Sequence, residues 1–122
     1  MSGPLKNQRK HGKGGFAQAH IEVFDSPECK ALTTQAQLLL FRLLLKCNPP
    51  DRNGHLAYSV DQAAADCRID RKTARHKFKE LQQAGFIDIA KVYPNNQRKA
   101  TEYRLTFFPS PNGKQPTDDW KG

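Results

Sequence analysis

Several things are scarce in this chain, and each absence narrows what it can be. The longest apolar run, Leu38 to Leu45, is interrupted by Arg42 and is far too short to cross a bilayer. Residues 1–15 are basic and glycine-rich with no apolar stretch, so no secretory leader is expected. The three cysteines, Cys29, Cys47 and Cys67, are dispersed and form no CxxC pair. That pattern argues against a disulfide framework and against a structural zinc site, and it fits core-filling thiols in a reducing, cytoplasmic compartment.

Catalytic signatures are missing too. There is no Ser/His/Asp order, no Walker loop and no HExxH. The four histidines (His11, His20, His55, His76) are scattered, and Gly12 with Gly14-Gly15 is too sparse to cradle a phosphate. The expectation is a protein that is not an enzyme, with no cofactor and no metal. Acidic residues are also in deficit, 12 against 20 basic ones, for a net charge of +8 and a pI near 9.6. Such a balance favours polyanionic partners, nucleic acid before an anionic membrane surface.

What remains is one modest domain. At 122 residues with a mean hydropathy of -0.78, the chain can build a single core with polar ends. Residues 1–15 read as a flexible basic arm, 16–108 as the folded domain and 109–122 as a Pro-rich tail, in which Trp120 docks back on the core, the favoured reading, contacts a partner or does neither. Phe16 to Phe24 reads as an extended lead-in. Ser26-Pro27 reads as an N-cap with proline at the first helical position, opening a short turn from Pro27 to Ala31.

Thr33 or Thr34 caps the next helix, with Gln37 as capping-box partner to Thr34. That helix extends to about Cys47. Its leucines wrap most of its circumference, which makes it a core helix with residues left over for a dimer surface. Asn48 to Gly54 breaks the helix with a Pro pair and an Asn-Gly turn. His55 to Tyr58 is a short strand.

The segment from Tyr58 to Phe86 carries the functional signal. Ser59 with Gln62 forms a capping box, and Val60, Ala63, Ala64 and Cys67 give a small apolar face. Ile69 anchors a tight turn and Asp70 caps a second helix, about 70–84, whose Ala74, Phe78 and Leu81 form a buried stripe. At about 100° per residue, Arg71, Lys72, Arg75, His76 and Lys79 fall on or near the opposite side. A short helix bracing a basic one is how many proteins set side chains in the DNA major groove. Gly85 supplies the left-handed residue at the helix end.

Two strands then flank a polar tip at 94–100. The second, Thr101 to Phe108, alternates with Tyr103, Leu105 and Phe107 on one face. The overall expectation is an α+β, mostly α chain: a winged helix-turn-helix, that is, a helical core with a small antiparallel β-hairpin wing.

The wording of the sequence also resembles bacterial winged helix-turn-helix DNA-binding proteins of phage, plasmid and other mobile-element type, replication-initiator or regulator-like. The resembling pieces are DSPECKAL (Asp25 to Leu32), Asn53-Gly54 with Tyr58-Ser59, AAADCRIDRKTA (Ala63 to Ala74), ELQQAGFI (Glu80 to Ile87) and KATEYRLT (Lys99 to Thr106). The piece CNPPDRNG departs from the Asn-Gly-rich loop common in the family. The resemblance implies sequence-specific double-stranded DNA binding in transcription regulation, DNA replication or recombination, by a chain that is nucleoid-associated when bound.

The expected contacts follow from side-chain chemistry. Arg71 and Arg75 suit bidentate contact to guanine. Lys72 suits phosphate or base, Thr73 a phosphate or thymine methyl, His76 a base or the rim, and Lys79 a phosphate. Ser59 suits a phosphate at a helix N-terminus, though capping is its simpler role. In the wing, Asn95, Asn96, Gln97, Arg98 and Lys99 suit phosphates or a minor groove, flanked on the strands by Lys91 and Arg104. A homodimer would suit two-fold related half-sites. The alternative is a winged-helix module that binds a protein partner through the leucine-rich helix and the Trp120 tail. No stacking-aromatic pattern favours RNA.

Overall fold

The computed structural model describes residues 21–47, 52–108 and 116–121. The expectations for the basic arm at 1–15, for residues 16–20, for the Pro-Pro loop at 48–51 and for 109–115 lie outside the described residues. The chain divides into two compact units, one ending at Ala31 and one opening at Leu32.

In the first unit, residues 21–24 are helical. This corrects the extended lead-in expected there. The Asp25 N–H donates to the Ile21 carbonyl at 2.9 Å, an i to i−4 bond that outweighs the strand preference of Ile21 and Val23. The Ser26 hydroxyl donates to the Val23 carbonyl at 2.6 Å and accepts from the Cys29 N–H at 3.1 Å. One side chain thus closes that helical segment and caps the next, α1 (Pro27–Lys30), with Pro27 in the first turn.

The second unit is α+β. Helix predominates, as α2 (Thr34–Lys46), α3 (Val60–Cys67) and α4 (Arg71–Gln83). The strands β1 (Leu56–Ala57), β2 (Ile87–Lys91) and β3 (Glu102–Leu105) form one antiparallel sheet in the order β1-β3-β2. Thr33, not Thr34, caps α2, its side chain accepting from the Ala36 N–H. Gln37 reaches back to the Leu32 carbonyl at 3.1 Å instead of closing a capping box.

The three helices pack pairwise on one another. Leu39, Leu40 and Leu43 of α2, Ala63 of α3, and Ala74 and Leu81 of α4 are fully buried between them. Leu38, Phe41 and Leu45 stay at the surface of α2. Cys29, Cys47 and Cys67 are all buried thiols.

Helix α4 joins the sheet through Phe78. Its ring stacks on Tyr103 of β3 at 4.9 Å and meets Tyr58 edge-on at 5.9 Å. Burial pushes the Tyr103 hydroxyl up to about 12, so it stays neutral. β3 lies in the middle of the sheet, with Tyr103 opposite Leu56 on one side and Ile89 on the other. The register between β2 and β3 slips between Ile89 and Lys91, a bulge that turns β2 as it approaches the hairpin tip. Thr106 and Phe108 are buried together with Phe107, so the clean alternation expected from the sequence stops at Leu105.

Residues 116–121 return to this core. The Asp118 N–H donates to the Thr106 carbonyl at 2.8 Å, and Trp120 stacks on Phe86 at 5.7 Å. Trp120 is buried, so it docks as expected. The returning backbone passes Gly85 so closely that a Cβ there would stand 2.6 Å from the Asp119 carbonyl oxygen. Gly85, at φ +86°, is required both for its conformation and for that approach.

Asn53 does more than the turn chemistry expected of it. Gly54 takes φ +93° and the His55 N–H closes the turn on the Arg52 carbonyl at 2.8 Å. The Asn53 side chain, fully buried, accepts from the Leu105 N–H at 2.7 Å and donates to the carbonyls of Leu105 and Phe108 at 3.0 and 3.1 Å. It supplies to the end of β3 the pairing that the two-residue β1 is too short to give. Asn53→Ala would leave those backbone groups buried without this partner, and we expect a loss of about 2–4 kcal/mol in urea unfolding. A change under about 0.5 kcal/mol, the size of an ordinary surface substitution, would contradict this role.

Candidate nucleic-acid interface

The turn between α3 and α4 is set by local hydrogen bonds. Ser59 and Gln62 form the expected capping box, with Gln62 N–H to Ser59 Oγ at 3.0 Å and Ser59 N–H to Gln62 Oε1 at 3.1 Å. Arg68 ends α3 in the left-handed conformation at φ 60°, and the Ile69 N–H closes on the Ala64 carbonyl at 3.0 Å. Asp70 then caps α4, accepting from the Thr73 N–H at 2.7 Å. Those bonds from Thr73, with nearby Lys72 and His76, hold the Asp70 carboxyl below its ordinary range.

The spin of α4 about its own axis is fixed from two sides. Ala74, Phe78 and Leu81 are buried on one face. From the flank, both oxygens of Glu80 engage Thr33, taking its N–H at 2.8 Å and its hydroxyl at 2.8 Å. A carboxylate on α4 therefore sits at the N-terminus of α2, where the helix dipole favours it. Lys77 pairs with the same carboxylate at 3.3 Å. Partial burial would raise the Glu80 pKa, but the Thr33 bonds and Lys77 outweigh it and leave it lowered.

With that orientation set, Arg71, Lys72, Arg75, His76 and Lys79 are all exposed and Thr73 is half-buried. The buried stripe falls where the spacing places it, but Arg71, seven residues before Phe78, lies on Phe78's own side and is exposed at the start of the helix, with Arg75 on the flank, so only Lys72, His76 and Lys79 turn to the opposite side as expected. Among the described residues no acid forms an ion pair with Lys72, Arg75, His76 or Lys79, although Lys72 and His76 act electrostatically on Asp70, whereas Arg71 Nε meets Asp61 Oδ1 at 2.6 Å. Arg68, not singled out from the sequence, adds a further exposed cation at the turn. The Asp61 contact had no such signal, because it joins two helices.

A second basic group lies at the hairpin tip. Pro94 leads into a 3-10 turn, Asn95–Gln97, closed by the Gln97 N–H on the Pro94 carbonyl at 2.9 Å. Asn96, Gln97, Arg98 and Lys99 are exposed, and Arg98 takes φ 53°. The Asn95 side chain lies outside the described residues. At the base of the tip, Tyr93 donates to Glu102 at 2.5 Å, and the ammonium groups of Lys91 and Lys99 lie 5.0 and 5.2 Å from its ring centre. Glu102 also meets His55 Nδ1 at 3.5 Å.

Not every expected contact is at liberty. Arg104 is held by Asp88 across the β2–β3 pair and donates to Thr117 Oγ1 at 3.1 Å, so its place here is structural. The Ser59 hydroxyl acts as a cap. Among the described residues, no group of three or more His, Cys, Asp or Glu is placed to hold a metal ion, and no helix is long and apolar enough to cross a membrane. Comparison with protein-family models, curated proteins and solved structures gives no match.

The Glu80 clamp has a pH signature. Its folded pKa is lowered, so its contribution is complete above the unfolded value of about 4.3 and is lost as the pH falls through the lower folded value. Asp70 and Glu102 shift in the same direction. Glu80→Gln should cost about 1 kcal/mol at neutral pH and make the fall in melting temperature below about pH 4 shallower than in the parent chain. Parallel melting curves across that range would show that Glu80 contributes nothing.

Proposed function

We propose that the chain is a winged helix-turn-helix protein that binds specific sequences of double-stranded DNA. Helix α4 enters the major groove and the hairpin tip acts as a wing on phosphates or the minor groove. The observation that carries this reading is the solvent-facing surface of α4. Five basic side chains are exposed there within thirteen residues, and four of them form no ion pair among the described residues. Such a face repels itself and gains by meeting a polyanion.

Arg71 and Arg75, near the start of α4, reach base edges, while Lys72 and Lys79 meet phosphates. The role is that of a transcriptional regulator or an accessory factor in mobile-element replication or recombination. Output then comes from occlusion, bending or a recruited partner, and two copies on two-fold half-sites suit it.

A second reading, a winged-helix module that binds a protein, draws on Leu38 and Leu45, which lie at the surface of α2 beside Phe41. It cannot also use Trp120, which is buried against Phe86.

Fluorescence anisotropy against selected and random duplexes separates the two. The parent chain should prefer a selected site, and contacts to about 6–8 phosphates should make log K fall steeply with log salt. Arg75→Ala should cost about 1–3 kcal/mol on the selected site. Lys79→Ala should weaken all duplexes alike and reduce the salt slope by about 1. Undiminished DNA binding by a folded chain with both Arg71 and Arg75 changed to Glu would favour the protein-binding module.

A further inference from the structure

Resting on the DNA-binding reading, we infer that Asp61 is a positioning residue for sequence readout, holding the Arg71 guanidinium to select a single guanine. Asp61 lies in the first turn of α3 and Arg71 is the first residue of α4. The contact joins Asp61 Oδ1 to Arg71 Nε at 2.6 Å, and both side chains are about two-thirds exposed.

Which nitrogen the carboxylate approaches matters. Guanidinium is planar and carries its donors in a fixed fork. A carboxylate against Nε limits how that plane can turn, and the outer pair, Nη1 and Nη2, is the edge across Cζ from it. That pair is the edge that meets O6 and N7 of guanine together. Arginine so restrained loses less freedom on binding than one that must be ordered from solution.

Stability does not account for the pair. Ion pairs this exposed contribute little to folding. For general affinity it is unfavourable, because it places a negative charge among cations that would meet phosphate. A carboxylate there weakens binding to any sequence and sharpens the response to one. Among the described residues, Arg71 alone of the five exposed basic side chains of α4 forms an ion pair. Arg75, the other guanidinium, has no such restraint. The two arginines should therefore differ in selectivity despite their shared chemistry.

The test uses the full chain and a duplex obtained by in vitro selection, with single guanines replaced in turn by 7-deazaguanine, plus a random duplex. The parent chain should lose about tenfold or more at one guanine that depends on Arg71. Asp61→Asn, which keeps the shape and the helix position, should bind the random duplex as tightly as the parent or more so. It should lose about two- to fivefold of the discrimination at that guanine alone, the size of an exposed ion-pair coupling. Arg71→Lys keeps the charge but not the fork. It should lose the same discrimination and make Asp61→Asn silent when the two are combined.

A purely structural Asp61 would lower the melting temperature and weaken every duplex together, and that result overturns the inference. So does Asp61→Asn raising affinity for all duplexes equally with discrimination intact. Both leave the DNA-binding reading standing. A parent chain with no preference among duplexes overturns the reading and the inference together.

Discussion

The ring of Phe78 decides which way α4 faces. Stacked on Tyr103 and edge-on to Tyr58, it is the one aromatic on α4. Removing such a ring from a core costs about 3–5 kcal/mol. A one-residue roll of the helix would expose it and press charged neighbours inward. Burying an unpaired guanidinium or ammonium costs several kcal/mol more. The two penalties reinforce each other, so one orientation wins by a wide margin over the small energies of surface contacts. Glu80 on Thr33 holds the same orientation from the flank.

Cations on this chain divide into those engaged within the fold and those left outside. Arg104 and Lys77 belong to the first group, each side chain less than one-fifth exposed and facing a carboxylate. Their charges are largely neutralised locally and add little to the field at long range. Lys72, Arg75 and Lys79 on α4 belong to the second, with Arg98 at the hairpin tip. Among the described residues, these solvent-facing charges are among those whose field reaches beyond the surface and is screened by salt.

Local rules made much of this legible in the sequence. Caps at Ser26, Ser59 and Asp70, the left-handed Gly85 and the period of Ala74, Phe78 and Leu81 all depend on residues a few positions apart, and each is found where spacing places it. What escaped is what needs a partner far along the chain. Asn53 reads as a turn residue because its bonds to Leu105 and Phe108 span more than fifty positions. Arg104 reads as a wing contact because Asp88 faces it only once β2 and β3 pair. Asp61 reads as a helix-start acid and gives no hint of Arg71. Residues 21–24 went wrong for the opposite reason: β-branched Ile21 and Val23 favour strand locally, yet the chain turns helical there.

Tyr103 links the two basic surfaces. It sits in the middle strand, opposite Ile89 of the strand that climbs to the hairpin tip, and its ring lies flat on Phe78 beneath α4. The hairpin and the helix thus share one anchor. A shift of that ring pair would move the base of the tip and the roll of α4 together. Glu102, the next residue back along β3, carries Tyr93 and its flanking lysines, so the polar network of the tip is tied into the same strand. A ligand that gripped both surfaces would load one rigid stack of rings. This allows two short basic segments, each weak alone, to act with a defined spacing between them.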